Sequence, residues 1–418
     1  MSVRFCSTHT GGAWVKVEDE PDGGGRSRQG SKDIAQSFLL DCLTSTNLVV
    51  LMGLGTSLYI NAGIPSKLDD EPKHTANIAP TMGDLWLAVY DAAGSYFDKA
   101  LSYVEYNPGD GKENVEELLS KCKMALDLWP IDHTNRNIIQ GFVKVAENVI
   151  CDKCNFVDGD INLYAHEILL QRFGKRSTRK PRTRIFTTNY DRCVEEAAKR
   201  LRFVVVDGFS HSMPQTFDPG YFAYDVVRRE RSGEMPDYIE NVFHLHKLHG
   251  SIDWTRERGE IVRRHEVENP LLIYPRSSKY EQAFEPPFLD MMGAFQTILR
   301  QPDTALIVIG FGFNDDHISQ PIMAALRANL SLRLLVWDCG FFDEEADTTE
   351  PSLEGQKLRN RYHERMRWLI SAGDPRIALL RASFEDFAQE VPDMVAETDR
   401  ERHAQRMREL WHRESLFE

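Results

Sequence analysis

Residues 47–57 read NLVVLMGLGTS, an apolar run that ends in two glycines one residue apart. The apolar part does not alternate with polar residues, so it suits a strand buried on both faces of a parallel sheet. Gly53 and Gly55 would let the backbone approach a pyrophosphate, whose charge is favoured by N–H groups at the next helix start. Gly53, Gly55, Thr56 and Ser57 are therefore candidate cofactor-binding residues. The third glycine of the dinucleotide fingerprint is missing, with Leu58 in its place, and no Walker lysine follows. A tight turn needing small residues accounts for the same stretch.

Working outward, similar runs recur at RIFTTN (184–189), FVVVDG (203–208), FHLHKLHG (243–250), LLIYP (271–275), TALIVIGFG (304–312), LRLLVWD (332–338) and RIALLRA (376–382). Helical patterns lie between several of them, as at Arg192–Arg200 and Asp315–Asn329. Strand alternating with helix predicts an α/β fold: a Rossmann-like, mainly parallel sheet with helices on both faces. Between 81 and about 180 no such run occurs. Ile138, Ile139, Phe142, Val143, Ala146, Val149 and Ile150 instead repeat at helical spacing, as do Leu85, Trp86, Val89 and Tyr90. This predicts a helical insertion at 81–180, joined to the sheet by the basic loop GKRSTRKPRTR (174–184). The domain proper is expected over 33–390, after a flexible arm at 1–32 that is rich in Gly, Ser and charge. A C-terminal helix is expected at 391–418, with Met407, Leu410 and Trp411 on one side.

Composition narrows the class. The 418 residues hold 50 Lys and Arg against 64 Asp and Glu, a net charge of −14. That balance argues against broad electrostatic binding of nucleic acid. No apolar run approaches the roughly 18 residues of a membrane span, and MSVRFCSTHTGGAW has no apolar stretch of the secretory kind. Seven cysteines, thinly spread, then read as reduced thiols, and a cytoplasmic location is expected.

Several strand ends carry chemistry. TTNYD puts Asn189 at the carboxyl end of a strand, where doubly wound folds present ligand-binding side chains. Its amide can hold a ribose hydroxyl or a water by donating and accepting together. Asp191 follows, as an N-cap for the helix from Arg192 or as a second polar group at the site. HLHKLHGSIDW places His249 before Gly250 at a strand end, which suits an exposed imidazole acting as general base. His244 and His246 share one strand face, and nothing at a matching spacing completes a metal site with them. Gly310, Asn314 and Asp315 belong to GFGFNDDH, again strand, glycine turn and helix. Trp337 and Asp338 end a later strand, as an adenosine-holding pair or as a core tryptophan beside a solvated carboxylate. Cys151 and Cys154 form a lone CxxC, read as buried helix cysteines rather than zinc ligands.

Taken in order, the Gly-x-Gly-Thr-Ser turn with AGIPS at 62–66, TTNYD, LHGSIDW and GFGFNDDHI resemble the sirtuin-like (silent information regulator) superfamily over about Asp33 to Ser383. The segments are more similar to bacterial antiphage-defence NADases than to protein deacylases, whose paired-CxxC zinc module is absent. The resemblance implies that Asn189 orients water or a ribose hydroxyl and that His249 is the catalytic base. It implies that Gly53, Gly55, Thr56 and Ser57 line NAD⁺, with Asn314 and Asp315 near its ribose or adenine end. Breaking the nicotinamide–ribose bond builds positive charge on C1′ and releases neutral nicotinamide, so a held water and one base suffice. No metal or structural zinc is expected.

The expected function is an NAD⁺ hydrolase that depletes NAD⁺ in antiphage defence. A short chain of this kind resembles the subunit that works with a HerA-type hexameric ATPase, as in Nezha-like systems. That implies a homo-oligomer larger than a dimer, docked on the ATPase, with DNA reached only through the complex. The rivals are a DNA nuclease subunit of the same complex and a silent NAD or ADP-ribose sensor. Trp86, Tyr90, Tyr96, Phe97 and Trp129 of the insertion, with Met407, Leu410 and Trp411, are candidate partner surfaces. Packing of the insertion rings onto their own sheet explains them as well.

Overall fold

The computed structural model describes residues 3–18, 31–61, 78–109, 113–228, 237–265, 267, 269–274, 285–342 and 357–392. Its centre is a nine-stranded sheet. The strands are β1 (Arg4–Cys6), β2 (Val15–Lys16), β3 (Asn47–Met52), β4 (Thr183–Thr187), β5 (Val204–Val206), β6 (Val242–Lys247), β7 (Thr304–Ile309), β8 (Arg333–Trp337) and β9 (Ile377–Arg381). Their spatial order is β2-β1-β9-β8-β7-β3-β4-β6-β5. The seven from β9 to β5 are parallel. β1 and β2 add an antiparallel edge.

Alternate residues of the parallel strands feed two cores. Val50, Ile185, Leu245 and Ile307 meet α1 (Ser31–Thr44), α7 (Tyr164–Gly174), α8 (Cys193–Arg200) and α12 (Phe384–Glu390) on one face. Val49, Leu51, Phe186 and Val308 meet α9 (Phe288–Ile298), α10 (Asp316–Ala328) and α11 (Arg361–Ser371) on the other. The fold is therefore α/β and Rossmann-like. Continuous apolar strands are what burial on both faces requires.

The chain leaves β3 toward β4 and leaves β7 toward β8, on opposite sides. The crevice between β3 and β7 is thus the switch point at which open α/β sheets bind ligands.

A separate apolar cluster holds α3 (Met82–Ala93), α4 (Ser95–Tyr103), α5 (Val115–Leu128) and α6 (Arg136–Cys154) together. α7 also falls within 81–180, yet its Leu169, Leu170 and Phe173 pack on the sheet. Within the helical layer Phe97 is buried, Trp86 meets it edge-on at 4.9 Å, and Trp129 stacks on His133 at 4.2 Å. Tyr90 and Tyr96 stay about half exposed.

Two expectations need correction. Residues 4–16 of the expected arm form β1 and β2, because Phe5 and Cys6 are apolar enough to be buried beside β9. LLIYP contributes only Leu271–Leu272, paired antiparallel with Gly250–Ser251 away from the main sheet. Its Leu272 and Tyr274 are drawn into the helical cluster instead. AGIPS and the C-terminal helix with Met407, Leu410 and Trp411 lie outside the described residues, as do residues 19–30 of the arm. Among the described residues no helix is long and apolar enough to cross a membrane.

Candidate active site

β3 is followed by Gly53 and the short helix α2 (Gly55–Leu58), β7 is followed by Gly310, and the two turns touch. The Gly53 N–H donates to the Ile309 carbonyl at 2.9 Å, and the Gly55 N–H to the Gly310 carbonyl at 2.9 Å. A Cβ on Gly55 would lie 2.7 Å from the Gly310 Cα, and Gly310 itself has φ +60°. The glycines are needed here for backbone against backbone, at a distance no side chain allows.

Beside this contact lies a cavity of about 590 Å³, within the 300–1,000 Å³ of small-molecule sites. Leu54, Ser57, Asn189, Asp191, His249, Gly310, Asn314 and Asp315 line it from the sheet side. Met82, Leu85, Glu113, Asn114 and Glu116 line it from the insertion. Gly53, Gly55 and Thr56 stand behind this wall. The Thr56 hydroxyl donates to the Gly53 carbonyl at 2.8 Å, so its side chain serves the turn.

Asn189 joins β4 to the glycine turn. Its Nδ2 reaches the Gly53 carbonyl at 3.0 Å, the Ser57 Oγ at 3.0 Å and the Thr56 Oγ1 at 3.2 Å. With the donors turned inward, Oδ1 is the polar atom left to accept a hydrogen bond from a ligand. Asp191 accepts from the Ser57 hydroxyl at 2.7 Å and from the Cys193 N–H at 3.0 Å. Helix α8 begins one residue later than the sequence suggests, so Arg192 holds the N-cap position and Asp191 supports the helix from outside it.

His249 lies where β6 turns into Gly250, at φ +87°. It is buried rather than exposed, at 3%. Its Nε2 is 3.0 Å from Nε2 of His317, on α10. Burial, and secondarily the His317 charge, hold the His249 imidazole well below its ordinary range. His317 is lowered to about 4 by burial, against an opposing pull from Asp316. Both rings are neutral at pH 7, which is the working form of a base.

His244 and His246 face away from this chemistry. His246 stacks between Phe186 and Phe222, at 4.5 and 4.0 Å, as a core ring. Among the described residues no group of three or more His, Cys, Asp or Glu could hold a metal ion. Cys151 and Cys154 close the last turn of α6 as free, buried thiols, and burial pushes Cys151 up to about 11. Trp337 is core, its indole donating to the Ala382 carbonyl at 3.1 Å. Asp338 does not line the cavity. Its Oδ1 accepts from the Gly340 N–H at 3.0 Å, so it closes its own turn.

Three further residues contribute, one of them, Arg359, outside every motif. Lys247 is buried and donates to the Tyr190 and Asp191 carbonyls and to Glu195 at 3.0 Å, clamping the TTNYD turn. Arg359 is the one cationic side chain among the described cavity residues, apart from histidine. The adjoining Asn360 pins the GFGFN turn through the Gly312 carbonyl at 3.0 Å. His317 stands inside GFGFNDDHI, so only its role is unread there.

No curated protein sequence matches the chain. Residues 183–348, which carry Asn189, His249 and the second glycine turn, match the SIR2-like domain model, and this supports a sirtuin-like family.

Proposed function

We propose that the chain is an NAD⁺ hydrolase that cleaves the nicotinamide–ribose bond to give ADP-ribose and nicotinamide. SIR2-like domains bind NAD⁺, and such a domain is compatible with an NAD-using enzyme. The observation that carries the finer reading is the convergence of Asn189 Oδ1 and a neutral His249 in one cavity at the switch point. Asn189 accepts a hydrogen bond from water or a ribose hydroxyl, and His249 removes the proton as positive charge builds on C1′. Glu113, Glu116 and Asp191 give the cavity carboxylates that favour a cationic pyridinium and the ribosyl cation that follows it. Arg359 suits the pyrophosphate, because a guanidinium binds phosphate oxygens in pairs.

The test is incubation of the purified chain with NAD⁺, followed by product chromatography. Equal amounts of ADP-ribose and nicotinamide are expected, and NAD⁺ left intact both without and with a HerA-type ATPase overturns the reading. The same reading places the activity in antiphage defence, in an oligomer larger than a dimer governed by a HerA-like ATPase. Co-purification with a HerA-type ATPase, and loss of NAD⁺ in infected cells, are its tests.

A further inference from the structure

The contact between His249 and His317 bears on how the base is supplied, and the inference rests on the hydrolase reading. A neutral imidazole has one N–H and one lone pair, so across the 3.0 Å gap one Nε2 donates and the other accepts. Nε2 of His249 is thereby turned from the cavity, and Nδ1 becomes the nitrogen able to meet a substrate. The ring is buried, which leaves it little room to flip and swap them, and its backbone is held as well. Gly250 follows at φ +87°, and the His249 carbonyl is held by the Ile273 N–H at 3.0 Å. His317 stands in the first turn of α10, beside Asp316 and less deeply buried than His249. Its Nδ1 is buried without a hydrogen-bond partner among the described residues. An orphaned buried polar atom asks for an explanation, and proton handling is one.

We propose that His317 is a positioning residue for His249, aiming its Nδ1 at the cavity and taking over the proton charge as His249 acts. In the working tautomer Nε2–H of His249 donates to Nε2 of His317, which carries its own hydrogen on Nδ1. As the water oxygen bonds to C1′, a water proton moves to Nδ1 of His249, and the glycosidic electron pair leaves on the nicotinamide nitrogen. The Nε2 proton of His249 passes to Nε2 of His317, leaving His249 neutral and His317 an imidazolium. Once products leave, the relay runs back and Nδ1 of His249 gives its proton to solvent. The sum is NAD⁺ plus water to ADP-ribose, nicotinamide and one proton. Burial opposes charge on both rings, but His317 is the less deeply buried of the two and Asp316 offsets part of that burial penalty.

The test compares the wild-type chain with His317→Phe, which lacks both nitrogens, and His317→Gln, whose amide oxygen can still accept from Nε2–H. Loss of a positioned proton partner predicts a kcat about 10²-fold lower in His317→Phe, with KM nearly unchanged and partial recovery in His317→Gln. Nitrogen-15 histidine spectra of the wild type, assigned by the signal missing in His249→Gln, should show the hydrogen of His249 on Nε2. Unchanged kcat in a folded His317→Phe, or a hydrogen on Nδ1 of His249, overturns the proposal. An inactive wild type would instead overturn the hydrolase reading, and the tautomer spectrum then decides the pairing by itself.

Discussion

The two walls of the cavity are built by different means. On the sheet side, Asn189 and His249 stand just past the ends of β4 and β6, whose register pairs Thr187 with both Met52 and Lys247. Backbone hydrogen bonds fix those positions to a fraction of an ångström. On the insertion side, Met82, Leu85 and Glu116 stand on helices that reach the cavity only by docking. The dock is made of side chains: Tyr190, Ile252, Leu272 and Tyr274 enter the cluster of α3–α6, and Ser120 donates to the Tyr274 carbonyl at 3.2 Å. The difference assigns chemistry to the wall that cannot shift, and enclosure to the wall that can. Reacting groups need near-exact placement, whereas a lid needs only to exclude water.

The sharpest way to break this division is on the sheet wall. Asn189→Ala and His249→Ala should each lower kcat by about 10²–10⁴-fold, the usual worth of a positioned acid–base group. Nicotinamide release measures this, with circular dichroism to confirm that the fold persists. If either variant turns over near the wild-type rate, the chemistry does not reside on this wall.

The sheet wall is also the legible one. Apolar runs that end in Gly, TTN or LHG mark both the strand and the point where its side chain meets the cavity, so Asn189, His249 and Gly310 can be found in one dimension. What stays hidden depends on three-dimensional company. β1 and β2 are three and two residues long, too short for a periodic signal, and exist because β9 offers an edge. LLIYP has a strand's composition, but its burial comes from the insertion. Arg359 reaches the cavity from far along the chain, and the His249–His317 contact spans 68 residues. Asp338 follows its strand much as Asn189 follows β4, yet it is not among the residues that line the cavity.

Acid offers a second separation of the two regions. His166 on α7, His244 on β6 and His363 on α11 all belong to the sheet layers, and burial lowers each to about 4. The ordinary value of 6.5 applies once the chain unfolds, so between 6.5 and 4 the unfolded state binds more protons than the folded one. Stability is thus fully present above 6.5 and falls as pH drops through that window, by on the order of 2 kcal/mol per histidine at pH 5. Denaturant unfolding at pH 7 and pH 5 measures the fall, and hydrogen exchange locates it. Exchange that rises first in α3–α6, rather than around the sheet, would contradict the placement of these rings.

A smaller perturbation targets the glycine contact. Gly55→Ala puts a Cβ 2.7 Å from the Gly310 Cα. Backbone has no rotamer by which to yield, so β3 and β7 must part locally, at a cost of about 1–3 kcal/mol. The Asn189 anchor on the Gly53 carbonyl moves with them. Activity should therefore fall further than stability alone explains. A lowered melting temperature with unchanged kcat would show that the turn supports the fold and not the site.

The smallest expected effect lies at the seam between the two walls. The Tyr190 hydroxyl is 2.9 Å from Glu116 Oε1 on α5 and 2.7 Å from the Ile273 carbonyl. It joins the residue next to Asn189 to the helix that encloses the cavity. Tyr190→Phe keeps the ring in the apolar cluster and removes only these polar contacts, so stability should drop by about 0.5–1.5 kcal/mol. Glu116 then loses one polar contact to the sheet side, which loosens the hold on α5 beside the cavity. Neither Asn189 nor His249 loses a hydrogen bond, because their partners lie on the glycine turn and on His317. KM for NAD⁺ should accordingly rise several-fold while kcat stays within about twofold, the pattern of lost binding that is shared by ground and transition states. A fall in kcat at constant KM would mean that the insertion shapes the reacting geometry itself, and that the two walls act as one.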